Sequence, residues 1–306
     1  MMDRSARLRE PKVALCGALI DAVRLESAVQ QVLGWATEPR STAEKARDDQ
    51  HGLQRCRLVL TPNVHHAVLL VEQPQLREVY DQADLVLADG APLVALARAR
   101  RQPLPERVAG SDLVPALLAA APLGMRVFLL GAGPGVAERA AAVIDKRWPG
   151  VRVVGWSSPP QGFEHDPQLD ASLVDEVNAT SPDLLVIGLG APKQELWVHR
   201  HREQLDARVA VCAGATIDFL AGHQSRAPRW MQRAGLEWLH RVAVEPDRLM
   251  HRYAHDGRVF IRIAWGELRG RPLLPALLEL RDGAKLSAHD APPVTSPRGS
   301  ATNKFP

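Results

Sequence analysis

The stretch RVFLLGAGPGVAERAAAVIDKRWPGVRVV, residues 126–154, decides the fold of this chain. It begins with an apolar run, RVFLL, that is too short for a helix and ends at a glycine-rich turn. An amphipathic segment of helical periodicity follows over residues 135–147, and a second apolar run, VRVV, begins at residue 151. A buried strand, a helix and another buried strand form a βαβ unit, which joins two parallel strands through a crossover helix.

Similar apolar runs recur on both sides of this unit. They cover residues 57–60, 83–87, 183–187 and 208–212, and an amphipathic stretch over residues 168–178 precedes the third of them. Residues 13–20 predict one or two further short strands, and residues 24–36 predict a helix. This alternation predicts an α/β fold, a parallel sheet with helices on both faces. Such a sheet binds its ligand at the carboxyl ends of its strands.

The composition is that of an ordinary globular protein of 306 residues, with 46% hydrophobic and 24% charged residues. This length corresponds to about two domains. The three cysteines are far apart, which excludes a disulfide framework and a cysteine-rich zinc module and fits a reducing cytosol. We expect neither a signal peptide nor a membrane-spanning helix, because the chain lacks the apolar segment of about 18 residues that spanning requires.

The net charge of +3 is unevenly distributed. Residues 226–271 contain ten arginines and five acidic residues, a net charge of +5, whereas the rest carries 28 basic and 30 acidic residues, a net charge of −2. Two groups of arginines have the spacing of a shared helix face: Arg226 with Arg229 and Arg233, and Arg241 with Arg248 and Arg252. With Trp230 and Trp238 among them, this pattern favours a membrane-surface helix. A nucleic-acid patch and solvated arginines on packed helices are the alternatives.

Polar residues follow the predicted strands. Thr61 and Asn63 come directly after one run and either cap the next helix or face a ligand. Asp89 follows another run, where its carboxylate either forms a turn or serves as a general base. Arg107, further along the chain, either neutralises a phosphate group or pairs with a neighbouring acid.

A glycine-rich loop follows the run at 126–130 and contains Gly131, Gly133 and Gly135. It is either a loop that approaches a diphosphate at a helix N-terminus or a tight turn between strand and helix. The dinucleotide-binding pattern fails, because Val136 stands where the third glycine belongs. Binding of NAD is therefore disfavoured.

Lys193 and Gln194 follow the run at 183–187 and either contact the phosphate and sugar of a substrate or begin a solvated helix. The histidine pairs at 65–66 and at 199 and 201 lack the spacing of ligands on one helix face. The sequence also lacks an Asp-x-Asp motif. We therefore expect no metal in the site.

Taken together, these segments resemble the WecG/TagA/CpsF family of bacterial glycosyltransferases, glycosyltransferase family 26. The resemblance covers about residues 58–253 and is carried, in the family's order, by TPNVHH, ADLVLADG, LPERVAGSDL, VFLLGAGPGVAE, GLGAPKQELW, CAGATIDFLAGHQSRAPRWM and GLEWLHRVAVEPDRLMHRY. It implies a Rossmann-like parallel sheet, a smaller accessory sheet and a helical, basic C-terminal appendage that touches the membrane. The implied reaction moves a sugar from a UDP-sugar to an undecaprenyl-diphosphate-linked sugar, with inversion at the anomeric carbon. N-acetylmannosamine, its uronic acid and glucose are the donor sugars that this family uses.

The resemblance also implies roles for individual residues. Asp89 would be the catalytic base, Thr61 and Arg107 would lie with it in the catalytic centre, and Asn63 and Gln194 would bind substrate. Further substrate-binding positions would be Gly131, Gly133, Gly135, Arg226, Arg229, Arg248 and Arg252. Because arginines would stabilise the leaving diphosphate, we expect no metal and no other cofactor.

The sequence thus predicts three parts: a catalytic domain over residues 1–224, a membrane-associating appendage over 225–288 and a disordered tail over 289–306. The polar stretch at 37–56 is predicted to be an exposed loop. We expect a cytoplasmic protein held peripherally at the inner face of the cell membrane, without a nucleic-acid partner, and leave open a homo-oligomer. Two other functions remain open: an NAD-type oxidoreductase, and a nucleic-acid-binding module built on residues 226–271.

Overall fold

The structure is a computed structural model and describes residues 11–39, 55–233 and 236–274. The predicted disordered tail and most of the predicted polar loop, residues 40–54, lie outside the described residues. So do residues 275–288, at the end of the predicted appendage.

Six parallel strands form the central sheet. In chain order they are β3 (Arg57–Leu60), β4 (Leu85–Val86), β5 (Met125–Gly131), β6 (Val151–Ser157), β7 (Leu184–Gly188) and β8 (Val209–Cys212), and their order across the sheet is β4-β3-β8-β7-β5-β6. The predicted parallel sheet is therefore confirmed. The short strand β4 is extended by backbone hydrogen bonds from Asp84 to Leu58 and from Leu87 to Leu60, so it follows β3 over the predicted length.

Helices cover both faces of this sheet. Their bounds are α1 (Leu25–Ala36), α2 (Val64–Glu72), α3 (Gln75–Gln82), α4 (Ala91–Ala99), α5 (Gly110–Ala120), α6 (Val136–Arg147), α7 (Pro167–Thr180), α8 (Lys193–His201), α9 (Thr216–Leu220), α10 (Arg229–Arg233), α11 (Glu237–Val244) and α12 (Pro246–Leu268). A 3₁₀ turn, Phe163–His165, precedes α7.

Alternation along the strands produces two apolar cores. In β7, Leu184 and Val186 point into the core under α1, α5 and α6, whereas Leu185 and Ile187 point into the core under α2, α3 and α8. Successive strand residues face opposite sides of a sheet, so a strand buried on both faces is apolar throughout. This is why these short apolar runs were recognisable in the sequence.

Two antiparallel strands, β1 (Lys12–Leu15) and β2 (Ala18–Asp21), form the smaller accessory sheet. The Asp21 carboxylate joins it to the main sheet by accepting a hydrogen bond from the Val86 amide at 2.8 Å. The strands predicted within 13–20 are therefore confirmed.

The C-terminal helices differ from the sequence expectation in one respect. Arg226 lies in the loop before α10, and the arginines at 241 and 248 lie on separate helices, so neither predicted arginine face forms as a continuous helical stripe. Pro228 and Pro246 are the physical reason, because a proline disfavours helical geometry in the residue before it and favours the first turn of a new helix. One helix, α10, therefore begins directly after Pro228, and another, α12, begins at Pro246.

The last helix, α12, packs against α2 and reaches the accessory sheet. Ile263 belongs to the core under α2, and the buried Glu267 carboxylate accepts a hydrogen bond from the Cys16 amide at 2.8 Å. The same carboxylate pairs with Arg100 at 2.6 Å. Among the described residues, no helix combines the length and the hydropathy that crossing a membrane requires.

Candidate active site

The predicted site residues at 61–63 and 89 meet at the carboxyl edge of the sheet, where β3 and β4 end. The Asp89 amide donates a hydrogen bond to the Pro62 carbonyl at 2.9 Å, which joins the two loops. Gly90 packs against Asn63 so closely that an added Cβ would lie 3.4 Å from the Asn63 Cα. The edge of the sheet therefore holds the Asp89 carboxylate and Asn63 in adjacent loops.

Asp89 has the properties of a general base at this edge. Burial raises the pKa of its carboxyl group from 3.8 to about 6, and Glu237 adds to the increase, while Arg107, Arg241 and His66 lower the pKa. At neutral pH the Asp89 carboxyl group is ionised, so it can accept a proton. A pKa near the working pH suits a residue that takes a proton in a reaction.

Arg107 connects Asp89 to a cluster of charges. Its guanidinium lies 3.5 Å from the Asp89 carboxylate, 3.0 Å from Asp112 and 3.1 Å from Glu237. Arg226 completes the group, 2.7 Å from Asp112 and 3.5 Å from Glu237. We call these five residues the Arg107–Arg226 cluster. It unites two predicted site arginines with three carboxylates, one of which, Glu237, comes from α11.

Of the two residues predicted either to cap the next helix or to face a ligand, Asn63 is the cap, and Thr61 makes a different structural contact. The Thr61 hydroxyl donates to the Cys212 carbonyl at 3.0 Å, which ties β3 to β8. Asn63 caps α2, since its Oδ1 accepts a hydrogen bond from the His65 amide at 3.0 Å. A substrate contact would therefore use the Thr61 oxygen as an acceptor and the Asn63 amide nitrogen as a donor.

Gln194 and Lys193 lie at the start of α8, but in different surroundings. Gln194 is buried, and its Nε2 donates to the Glu195 carboxylate at 2.7 Å, whereas its Oε1 has no hydrogen-bond partner. Lys193 pairs with Glu164 at 2.8 Å and lies over the Phe163 ring. The structure therefore places the lysine beside the 3₁₀ turn and not in the Arg107–Arg226 cluster.

The glycine-rich loop joins β5 to the N-terminus of α6. At Gly131 the backbone has a φ of +113°, and an added Cβ would lie 2.5 Å from the Gly188 carbonyl oxygen. Gly135 precedes α6 with a φ of +71°. The carbonyls of Gly131 and Gly133 accept from the Ser158 hydroxyl at 3.1 and 3.3 Å. The tight turn is thus present, and it exposes a helix N-terminus of the kind that binds phosphate groups.

The predicted arginines of the C-terminal helices lie at separate positions. Arg226 belongs to the Arg107–Arg226 cluster, whereas Arg229 and Arg248 lie in α10 and α12. Arg252, one turn after Arg248, lies over the Tyr253 ring, and its Nε is buried without a hydrogen-bond partner. Arg226 is linked to the predicted site residue Arg107 through Asp112 and Glu237, with which both arginines pair.

Four residues at or beside this edge were missed from the sequence. They are His66, Asp112, Glu195 and Glu237. The sequence contained a signal for two of them. His66 stands three residues after a helix-capping asparagine, which is where a capping box places its second side chain. Glu195 is the neighbour of the predicted site residue Gln194. The part of the chain that the structure describes contains no group of three or more His, Cys, Asp or Glu side chains that would hold a metal ion.

The fold and this edge define an α/β architecture in which a carboxylate and arginines lie at and beside the carboxyl ends of parallel strands. The chain belongs to the Glycosyl transferase WecG/TagA/CpsF family, whose sequence model matches residues 13–273. This confirms the resemblance that the motifs carried. It also favours a glycosyltransferase over an NAD-type oxidoreductase or a nucleic-acid-binding module.

Three similar proteins carry the same description, N-acetylglucosaminyldiphosphoundecaprenol N-acetyl-beta-D-mannosaminyltransferase. The protein from Bacillus spizizenii (strain ATCC 23059 / NRRL B-14472 / W23) is 31% identical over 62% of this chain and 72% of its own length. The one from Bacillus subtilis (strain 168) is 30% identical over 62% and 73%. The one from Staphylococcus aureus (strain MRSA252) is 29% identical over 56% and 66%.

Proposed function

We propose that this protein transfers a hexose from a UDP-sugar to a sugar linked to undecaprenyl diphosphate, with inversion at the anomeric carbon. One observation carries the proposal: in a chain that belongs to this family, a carboxylate with a pKa of about 6 stands 3.5 Å from a guanidinium at the carboxyl edge of a parallel sheet. A base beside an anion-binding group is what a transfer from a nucleotide diphosphate requires.

The similar proteins favour one pair of substrates. Their description names N-acetylmannosamine as the transferred sugar and N-acetylglucosaminyl-diphosphoundecaprenol as the acceptor. We therefore take UDP-N-acetylmannosamine as the donor to test first. The uronic acid of that sugar and glucose are the next candidates, and the product would serve the synthesis of a cell-surface polysaccharide such as a teichoic acid or an exopolysaccharide.

Asp89 would act on the acceptor. Its carboxylate takes the proton of the acceptor hydroxyl while that oxygen forms a bond to the anomeric carbon of the donor. The bond between that carbon and the β-phosphate oxygen breaks on the opposite face, and UDP leaves with the electron pair. A single displacement of this kind needs one base and inverts the anomeric centre.

Arg107 and Arg226 would neutralise the diphosphate of the leaving UDP. A guanidinium binds phosphate oxygens through two parallel hydrogen bonds, and fixed cations at the site of developing charge lower the barrier. Glu237 and Asp112 each pair with both arginines in the structure, so the diphosphate would compete with these carboxylates. The uridine and its phosphates would lie between this cluster and the glycine-rich loop. The Gln194 Oε1, which has no partner in the structure, would accept a hydrogen bond from the substrate.

The acceptor is a lipid, and the C-terminal helices offer a surface for the membrane that contains it. Large apolar side chains on or between these helices are exposed to solvent: Trp230, Trp238, Leu239, Val244, Met250, Ile261, Trp265 and Leu268. Arginines lie among them, as on helices that rest on anionic lipids. We place the protein in the cytoplasm, at the inner face of the membrane.

The test is a panel of UDP-sugars with a polyprenyl-diphosphate-linked N-acetylglucosamine, each run with and without EDTA. The expected result is transfer of N-acetylmannosamine, a product of inverted anomeric configuration by NMR, and an unchanged rate in EDTA. Loss of turnover in EDTA would refute metal independence, and retention of configuration would refute the single displacement. Absence of transfer from every donor would overturn the proposed function.

A further inference from the structure

A buried carboxylate stands directly behind the proposed active site. Glu195, in the first turn of α8, is 1% exposed. Its Oε1 accepts a hydrogen bond from Gln194 at 2.7 Å and lies 3.2 Å from the His66 Nε2, while its Oε2 has no hydrogen-bond partner. Burying a carboxylate costs several kcal/mol unless it is paired. The pairing with His66 therefore offsets part of the cost of burying Glu195.

His66 carries this contact to the helix cap at Asn63. The Nε2 of His66 lies 3.2 Å from the Glu195 carboxylate, and its Nδ1 lies 3.1 Å from the Asn63 Oδ1 and 3.3 Å from the Asn63 backbone nitrogen. Asn63 in turn accepts from the His65 amide through its side chain. A carboxylate beside Nε2 favours a proton on that nitrogen, as a hydrogen-bond partner does for a catalytic or ligating histidine.

The same contacts reach the base. Asn63 follows Pro62, whose carbonyl accepts the hydrogen bond from the Asp89 amide at 2.9 Å, and Gly90 packs against the Asn63 Cα. A displacement of the cap would therefore move the loop to which Asp89 is bonded. Because Glu195 also holds the Gln194 side chain, one buried carboxylate contacts both Gln194 in α8 and, through His66, the cap of α2.

We propose that Glu195 and His66 are positioning residues of the transfer reaction, which hold Gln194, Asn63 and the Asp89 loop in register without touching the substrate. This inference rests on the proposed function. Displacements of a reacting group by a fraction of an ångström to one ångström are enough to reduce catalysis strongly.

The chain contains a matched control at the other end of the same helix. His201, the last residue of α8, lies 2.9 Å from the Asp170 carboxylate, which also accepts a hydrogen bond from Trp197 at 2.8 Å. Both His201 and Asp170 are buried. This second histidine–carboxylate pair has the same chemistry, and its contacts seen in the described part of the chain are with Trp197 and Arg200 of the same helix and not with proposed site residues.

The experiment compares Glu195→Gln and His66→Gln with Asp170→Asn and His201→Gln in the full chain. We expect the first two to lower kcat about 10- to 100-fold with KM changed by less than about threefold. The second two should lower the melting temperature and leave kcat within about twofold of the wild type. A purely structural role for Glu195 would lower the melting temperature in all four variants and kcat in none.

His66→Gln gives a second readout in the pH profile. Arg107, Arg226 and Arg241 face Asp89 as cations and Glu237 as an anion, while Glu195 faces His66 from α8 with Tyr80 and Cys212 nearby. Because His66 lowers the pKa of Asp89, its removal should shift the acidic limb of kcat/KM to higher pH. An unmoved limb, with kcat also unchanged, would overturn the inference.

An NMR measurement separates this inference from the proposed function. In protein labelled with ¹⁵N-histidine, the Nε2 of His66 should carry a proton in the wild type. An Nε2 without a proton could not donate to Glu195 and would overturn the positioning role whatever the activity. If the wild type transferred no sugar while Nε2 carried the expected proton, the proposed function would fail and the hydrogen-bond assignment would stand.

Discussion

The carboxyl edge of the sheet and the C-terminal helices contribute to the same candidate site in different ways. At the sheet edge, Thr61, His66, Gln194 and Glu195 are all buried, and hydrogen bonds fix each of them. In α11, by contrast, no residue is buried. Two exposed tryptophans lie near its start, Trp230 before the helix and Trp238 within it. One region is a rigid scaffold and the other is a surface held by ion pairs.

This difference indicates a division of work. Buried hydrogen bonds hold reacting groups to the small tolerances that catalysis needs, whereas the partly exposed ion pairs of Arg107 and Arg226 can exchange for those of a ligand. Arg107 lies where the two regions meet, since it contacts Asp89 from the edge and Glu237 from α11.

The largest expected effect comes from Asp89→Asn. Asparagine keeps the size of the side chain but cannot accept the proton, so kcat should fall on the order of 10³-fold, with donor affinity unchanged within about threefold. In the wild type, kcat/KM should decline as the pH falls below about 6, where the carboxylate becomes protonated. A variant with more than about a tenth of the wild-type kcat would remove Asp89 as the base.

The same variant should be more stable than the wild type at neutral pH. The folded pKa of about 6 exceeds the unfolded value of 3.8, so the protonated carboxyl stabilises the fold below about pH 4, and this stabilisation is lost as the pH rises through 6. As the pH rises over this interval, the free energy of unfolding of the wild type should fall by about 1 to 3 kcal/mol relative to that of Asp89→Asn. Urea unfolding at several pH values measures the difference, and equal pH dependence in both proteins would contradict it.

Much of the fold was predictable because the central strands are buried on both faces. The runs at 183–187 and 208–212 are apolar at nearly every position, and local sequence is enough to recognise such strands. The boundaries of the C-terminal helices were harder to predict, because the helical spacing of the arginines continues across Pro228 and Pro246. There the prolines outweigh the periodic pattern.

The site was predictable only where residues follow strands. Thr61, Asn63 and Asp89 come directly after strands that end at one edge, so their proximity follows from topology. The pairing of His66 with Glu195 joins residues that are 129 positions apart, and nothing in one sequence links them. Lys193 was predicted to contact the substrate, but in the structure it pairs with Glu164. That glutamate comes from a turn whose placement no local pattern indicates.

Exposed tryptophans provide the next test, on the side of the C-terminal helices. Trp238→Ser should weaken binding to liposomes with anionic lipids about tenfold, since burial of such a ring is worth about 1.5 to 3 kcal/mol at most and this one is partly covered. Sedimentation with liposomes at several salt concentrations measures the affinity.

Trp156→Ser is the matched control for that prediction. Trp156 lies on β6, at the opposite end of the sheet from β4, and is 44% exposed against 45% for Trp238. Its replacement should leave liposome binding unchanged. Equal losses in both variants would mean that the membrane contact is not specific to the C-terminal helices.

The smallest expected effect, and the one that tests the meeting point of the two regions, comes from Glu237→Gln. The carboxylate of Glu237 occupies Arg107 and Arg226, the arginines that the diphosphate of the donor would use. Since a neutral amide competes less for these guanidinium groups, UDP should bind about 3- to 10-fold more tightly by calorimetry. Glu237 also raises the pKa of Asp89, so the acidic limb of kcat/KM should move to lower pH.

Glu245→Gln changes the charge by the same amount beside the other end of α11, where Glu245 accepts a hydrogen bond from Gln224. It should alter neither UDP affinity nor the pH profile. Weaker UDP binding in Glu237→Gln would mean that this carboxylate holds the arginines in place for the diphosphate and does not compete with it. The ion pairs of α11 would then belong to the rigid scaffold, and the division between the two regions would lie further along the chain, beyond Glu237.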